Sequence, residues 1–305
     1  MKISELSRIE LANLLHRGEL LLKLPPFVTR LKTNVPSLIR DFAVMYADFE
    51  VSSIDAFADF HVEIASEPGL WRWLKPQVRF FFDGRPSFIP LPTVQAFAML
   101  EWGLNWCVAA HSHQYLIIHA AVLEKNGKAA ILPAPPGSGK STLCAGLVMR
   151  GWRLLSDELA LYDMTTREIF GMSRPINLKN RSIGIIKQFA PDAVLTDSVP
   201  DTTKGTVALL RPPTQSAVRV REPVRASWIV LPKYTPNMLP LLEPHSKART
   251  FMLIAEQSFN YDIHGENGFE AVGNLVDQCA CYQYTYSQLD DAVRTFEELC
   301  SGKIT

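Results

Sequence analysis

The sequence predicts an α/β fold built around a nucleotide-binding loop, with a small α+β unit ahead of it. Three observations carry that expectation. Leu116 to Pro133 reads as two apolar strands joined by Asn126-Gly127, and Gly137-Ser138-Gly139-Lys140-Ser141-Thr142 follows at the start of a helix. The next strand, Trp152 to Leu155, then delivers the acidic pair Asp157-Glu158. Two glycines let consecutive backbone N–H groups turn inward around an anion at a helix N-terminus. In such a loop Lys140 supplies charge and Ser141 a magnesium ligand.

Length and composition bound the rest. A chain of 305 residues can bury a substantial core, in one large domain or two smaller ones; the division is expected at 1–112 and 113–305. Lys plus Arg and Asp plus Glu number 31 each, so no global field draws the protein to nucleic acid or an anionic membrane. The five cysteines, Cys107, Cys144, Cys279, Cys281 and Cys300, contain no CxxC pair, which argues against a disulfide framework and for a reducing compartment. Glu5 and Glu10 interrupt the apolar residues of the N-terminus, unlike a signal peptide, and no stretch reaches the roughly 18 to 20 apolar residues of a membrane span. A cytoplasmic location is expected.

In chain order, Ile3 to about His16 has helical spacing with Gly18 as a stop, and Leu20 to Lys32 is extended around Pro25-Pro26. SLIRDFAVMYADF after Pro36 is a helix, and Phe57 to Ile64 alternates like a half-buried strand. Val78–Phe82 and Ser87–Ile89 flank the hairpin signal Asp83-Gly84. Thr93 is placed to cap a helix from Val94 to about Ala110. Trp71, Trp73, Trp102 and Trp106 read as core at these spacings. His111-Ser112-His113 reads as a solvated helix end, since no cluster of metal-ligand spacing accompanies it.

The loop follows G-x-x-x-x-G-K-[ST] except that Ala134 stands at the first glycine. Pro135 and Pro136 lack N–H groups, so within Pro136–Thr142 the donors come mainly from Gly137 onward. An ordinary helix N-terminus would not explain Lys140 in the first turn, where a cation opposes the helix dipole. Thr142 to Arg150 continues as helix with Gly151 at its end. Two adjacent carboxylates at the end of the next strand allow a division of labour. One accepts a proton from an attacking hydroxyl, and the other holds magnesium directly or through water. The short spacing from loop to acid, with no Leu-Ser-Gly-Gly-Gln and no Asn-Lys-x-Asp, leaves a compact kinase among loop-bearing classes.

The segment resembles the C-terminal catalytic domain of the HPr kinase/phosphorylase family, and more closely the branch called HPr-related kinase A. His119 on a strand, the Gly-x-Gly-Lys-Ser loop and Asp157-Glu158 fall in that family's order, and Leu178-Lys179-Asn180-Arg181-Ser182-Ile183-Gly184 looks like its signature loop. Similarity covers roughly residues 115 to 235. It implies a central mixed sheet flanked by helices, ATP and Mg2+ as cofactors, and oligomers. It also implies catalytic roles for Asp157 (base), His119, Lys140 and Arg181, with Ser141, Glu158 and Asp157 as metal ligands. Glu158, Lys179, Ala120 and Ala134 depart from the family pattern. Lys204 and Arg211 are further candidates to neutralise phosphate or grip an acidic acceptor.

Beyond that, Ala226 to Leu231 and Tyr282 to Tyr286 read as strands, Ser246 to about Phe259 and Asn267 to Cys279 as helices, and Gln288 to Cys300 as a last helix capped by Ser287. The tyrosines at 282, 284 and 286 read as strand packing. Three functions stay open at this point: a kinase for Ser or Thr of a peptide or small protein, a small-molecule kinase with the same apparatus, and a non-catalytic nucleotide-dependent switch in a biosynthetic assembly.

Overall fold

The computed structural model describes residues 1–67, 74–135 and 137–303; Trp71, Trp73 and Pro136 lie outside the described residues. The first element departs from the expected continuous helix. Ile3–Glu5 is a 3-10 turn, and α1 (Arg8–Arg17) begins only at Ser7. There the Ser7 hydroxyl accepts the Glu10 N–H and the Glu10 carboxylate accepts the Ser7 N–H, satisfying two N–H groups reciprocally.

Next come β1 (Leu20–Leu24), β2 (Phe27–Thr33), α2 (Pro36–Met45), β3 (Phe60–Ser66), β4 (Gln77–Phe82), β5 (Arg85–Pro86), β6 (Leu91–Pro92) and α3 (Ala96–His111). The strands form a six-stranded sheet in the order β1-β2-β3-β4-β5, with β6 also on β4. Asp83 and Gly84 turn the hairpin with positive φ. The second arm stops at Pro86 rather than spanning Ser87–Ile89, although the Ser87 N–H still donates to the Phe80 carbonyl at 3.1 Å. Thr93 caps no helix; it opens a 3-10 turn over Thr93–Gln95, and α3 starts after Gln95. Trp102 and Trp106 are half-buried against the core of this region, and His111 stacks on Phe82 with ring centres 4.7 Å apart.

The second and larger sheet follows from β7 (Leu116–Lys125), β8 (Lys128–Pro133), α4 (Lys140–Val148), β9 (Arg153–Ser156), β10 (Leu159–Tyr162), β11 (Ile169–Phe170), β12 (Ile176–Lys179), α5 (Arg181–Phe189), β13 (Val199–Thr202), β14 (Gly205–Leu210), α6 (Thr214–Val218), β15 (Ala226–Tyr234), β16 (Leu241–Pro244), α7 (Lys247–Glu256), α8 (Tyr261–His264), α9 (Glu266–Gln278), β17 (Ala280–Tyr286) and α10 (Leu289–Cys300). Its order is β11-β10-β7-β8-β15-β17-β16, with β9 also on β7. β7 runs antiparallel to β8, β9 and β10, while β8, β15 and β17 run parallel. The sheet is therefore mixed, as expected, and β8 and β9 point the same way. α4 and α10 cover one face together with the small β12-β14-β13 sheet; α7 and α9 cover the other.

Two boundaries in this half are corrected. α4 starts at Lys140 and ends at Val148, with Gly151 in the left-handed region three residues later. Ser287 does not cap α10: its hydroxyl donates to the Met238 carbonyl. All five cysteines are free and buried. Among the described residues no helix is long and apolar enough to cross a membrane.

α3 touches both sheets, and its seat depends on Gly103, where a Cβ would lie 1.9 Å from the Phe80 ring. Gly103→Ala is expected to lower the unfolding free energy by about 1–3 kcal/mol through overpacking. Gly184→Ala on α5, where nothing lies within 4 Å, should instead be neutral or stabilising; urea denaturation of both variants checks the contrast.

Candidate nucleotide and phosphotransfer site

The loop between β8 and α4 is shaped by backbone that only glycine adopts freely. Gly137 and Gly139 have φ of 87° and 92°. At Gly139 a Cβ would also sit 2.5 Å from the Tyr286 hydroxyl and 2.9 Å from the Tyr234 Cβ. Two neighbouring parallel strands hold the loop from beneath. The Tyr286 hydroxyl at the end of β17 donates to the Gly139 carbonyl at 2.9 Å, and the Tyr234 N–H at the end of β15 donates to the Ser138 carbonyl at 2.9 Å. The alternating tyrosines of β17 are core, as expected, and the last of them also fastens the loop.

The acidic pair arrives by a device that strand patterning does not reveal. β9 does not simply end; it resumes as β10 against the same neighbour, with Asp157 and Glu158 between them. The pairs Ser156–Val122 and Leu159–His119 share one register, while Leu154–Leu123 is shifted by one. Leu155 is thus the extra residue of a bulge, and bulges re-aim the side chains that follow. The continued register sets Asp157 opposite Ala121, on the face covered by α4. Ser156 supports the gap, its hydroxyl accepting the N–H groups of Glu158 at 3.2 Å and Leu159 at 2.9 Å.

Lys140 and Asp157 are both buried, 9% and 8% exposed. Burial pushes the Asp157 carboxyl up and the Lys140 ammonium down, and the charge of each opposes the shift of the other. Asp157 Oδ2 accepts the Asn177 N–H at 3.3 Å. Ser138 Oγ, Lys140 Nζ, Asp157 Oδ1 and Asn177 Oδ1 are buried without any hydrogen-bond partner; they are four of the seven such side-chain atoms among the described residues. Buried polar atoms are normally paired, so a cluster of two donors and two acceptors around one loop marks a place where a ligand completes the bonding.

The donors suit phosphate oxygens, and the Asp157 and Ser141 oxygens suit a hard cation. Among the described residues no group of three or more His, Cys, Asp or Glu could cage a metal. Magnesium in nucleotide sites takes only one or two protein ligands beside phosphates, so these residues fit an ion carried in with a nucleotide.

Glu158, expected as a metal ligand, is also tied to the first region of the chain. Its carboxylate accepts from Asn105 Nδ2 at 2.7 Å and lies 4.0 Å from Lys204 Nζ. Asn105 sits on α3 and its carbonyl accepts from Arg174 Nη2. Arg174 pairs with the buried Glu101 at 3.1 Å, and Glu101 accepts the Tyr46 hydroxyl at 2.5 Å. A continuous polar chain therefore joins the first sheet's helices to the acidic pair. Lys204 is held at the site, 5.0 Å over the Trp102 ring.

His119 lies on β7, on the same face as Ile117 and Ala121, and is half-buried. Burial, then the nearby Lys140 charge, drives its pKa down to about 4, against the opposing pull of Glu158. It is neutral at pH 7. Arg181 is not brought to the site: it is exposed in the first turn of α5, with no hydrogen bond or ion pair among the described residues. Lys179, exposed at the end of β12, adds its charge to burial in lowering the pKa of His119, Lys140 and Lys204. Arg211 is engaged with Asp48 at 2.6 Å. Sequence reading missed Asn105, Arg174 and Asn177. Asn177 alone carried a signal, a polar residue between Ile176 and Leu178 in a buried strand.

No family model and no curated protein matches this chain. Among solved structures it is similar to the HPr(Ser) kinase/phosphatase from Coxiella burnetii, with a TM-score of 0.28 and 10% identity over 61% of this chain and 98% of that one. A likeness of that size carries no argument about the site.

Two outcomes follow from this geometry. Gly139→Ala should weaken binding of a fluorescent ATP analogue at least tenfold, because the loop cannot keep its conformation against Tyr286 and Tyr234. The folded pKa of His119 lies below its unfolded value, so the unfolded chain takes up its proton first as pH falls. The histidine therefore costs stability progressively between about pH 6.5 and 4, and urea midpoints of wild type should fall more steeply across that window than those of His119→Gln.

Proposed function

We propose that this protein is an ATP-dependent phosphotransferase that moves the γ-phosphate to a hydroxyl. The observation that carries the reading is the buried pair of Lys140 and Asp157 at the glycine loop, each with a terminal atom lacking a partner. Loop N–H groups from Gly137 onward would hold the phosphates, and Lys140 would offset charge on the β- and γ-groups. Asp157 Oδ1 would accept the proton of the attacking hydroxyl; burial moves its pKa toward working pH, which suits a general base. His119, uncharged, would help orient the reacting groups, and Lys204 would offset charge on the acceptor side. A magnesium ion held by Ser141 and the phosphates themselves would supply further charge neutralisation.

The sequence resemblance favours Ser or Thr of a peptide or small protein as acceptor. With radiolabelled ATP and a mixed acceptor panel, Asp157→Asn should lower kcat at least 100-fold while ATP affinity stays within threefold, and Lys140→Ala should abolish nucleotide binding. Undiminished transfer by Asp157→Asn would remove that residue from its role. Tight ATP binding without transfer to any acceptor would instead support the non-catalytic switch.

A further inference from the structure

The carboxyl ends of the parallel strands β8, β15 and β17 come together at the glycine loop, the region where ligands of such sheets gather. Ile229 is level with Ile131; from there β8 runs two residues to Pro133, while β15 runs five to Tyr234. Tyr234 therefore stands past the end of β8, beside the loop. Its backbone and Cβ are engaged there. The N–H donates to the Ser138 carbonyl at 2.9 Å, and a Cβ on Gly139 would lie 2.9 Å from the Tyr234 Cβ.

The ring beyond that Cβ is not used as the neighbouring tyrosines are. Tyr282, Tyr284 and Tyr286 are buried in the core under α4 and α10. Tyr234 meets the Tyr286 ring at 72° and keeps 46% of its surface exposed. The turn that follows it is fastened to β17: the Thr235 N–H donates to the Tyr286 carbonyl at 2.9 Å, and the Ser287 hydroxyl to the Met238 carbonyl at 2.7 Å. Met238 and Leu239 of this turn are exposed as well. An exposed aromatic ring and apolar side chains on a fastened turn beside a phosphate loop suit a flat apolar group that is joined to phosphate. Which end of a nucleotide lies here follows from Asp157. The acid arrives on β9, which pairs with β7, and β15 lies on the opposite side of β8. With the γ-phosphate at Asp157, the sugar and base run toward β15. The other exposed ring near the site, Phe259, lies 5.9 Å from His119 on β7 and so belongs to the side of the acid.

We propose that the exposed ring of Tyr234 is the surface on which the nucleobase stacks, with the phosphates on the glycine loop and Asp157 at the γ end. This rests on the nucleotide reading above. Base and ring meet through their π-faces, an interaction that needs no hydrogen-bond partner from the turn.

The test compares ATP with inorganic tripolyphosphate, each with magnesium, by isothermal titration calorimetry on the full chain. Wild type should bind ATP at least tenfold more tightly than tripolyphosphate. Tyr234→Ala keeps the backbone bond to Ser138 and the Cβ beside Gly139. It should weaken ATP at least about fivefold, the lower end of what a lost stacking partner costs, and leave tripolyphosphate within twofold. Tyr234→Trp should hold ATP within twofold of wild type. Equal weakening of both ligands by Tyr234→Ala would mean that the ring only shapes the loop. Unchanged ATP affinity, or a loss specific to ATP in Phe259→Ala instead, would put the base elsewhere. Each of these overturns the stacking site and leaves the phosphate loop standing. Wild type binding ATP no more tightly than tripolyphosphate would overturn it too, and needs no variant should Tyr234→Ala fail to fold. Binding of neither ligand by wild type would overturn the nucleotide reading itself, and this site with it.

Discussion

A lysine and an aspartate buried near one another, with no ion pair within 4.0 Å between them, are the constraint on which this architecture turns. Desolvating either charge alone is costly, and their attraction offsets that cost only where geometry and extra hydrogen bonds are favourable. Here both are buried and each keeps one terminal atom unpaired. The sheet makes this possible. β7 reverses direction between β8 and β9, so the loop that ends in Lys140 and the strand that carries Asp157 finish on the same side. The bulge at Leu155 then decides that Asp157 takes the α4 face.

The helices of the first sheet complete the other side of that pair. Tyr46, Glu101, Arg174 and Asn105 form a buried relay ending on Glu158. Buried ion pairs are weak evidence for stability and better understood as fixing register. In this protein the relay fixes how α3 lies against the acidic pair, with Gly103 on Phe80 setting how closely it packs on its other side.

What the sequence made legible is what short stretches decide for themselves. The turn at Asn126-Gly127 has positive φ at both residues, and the glycine loop, α4, the apolar strands β7 and β8 and the alternating strand β17 follow from local pattern. Caps were less legible, because Thr93 and Ser287 have alternatives nearby: a 3-10 turn in one case and the Met238 carbonyl in the other. Long-range partners were not legible at all. Arg211 meets Asp48 across 163 residues of chain, and Asn105 meets Glu158 across 53; neither spacing nor composition encodes such meetings. Arg181 stands in solvent, and Lys179 two positions earlier is exposed as well.

The two-residue gap between β9 and β10 has a further meaning. Its backbone N–H groups at Glu158 and Leu159 are satisfied by the Ser156 hydroxyl rather than by the neighbouring strand, and the register is the same on either side. Positions 157 and 158 are in this sense a socket in the scaffold. The strand thus carries its two acidic residues while its pairing with β7 is kept on either side of them.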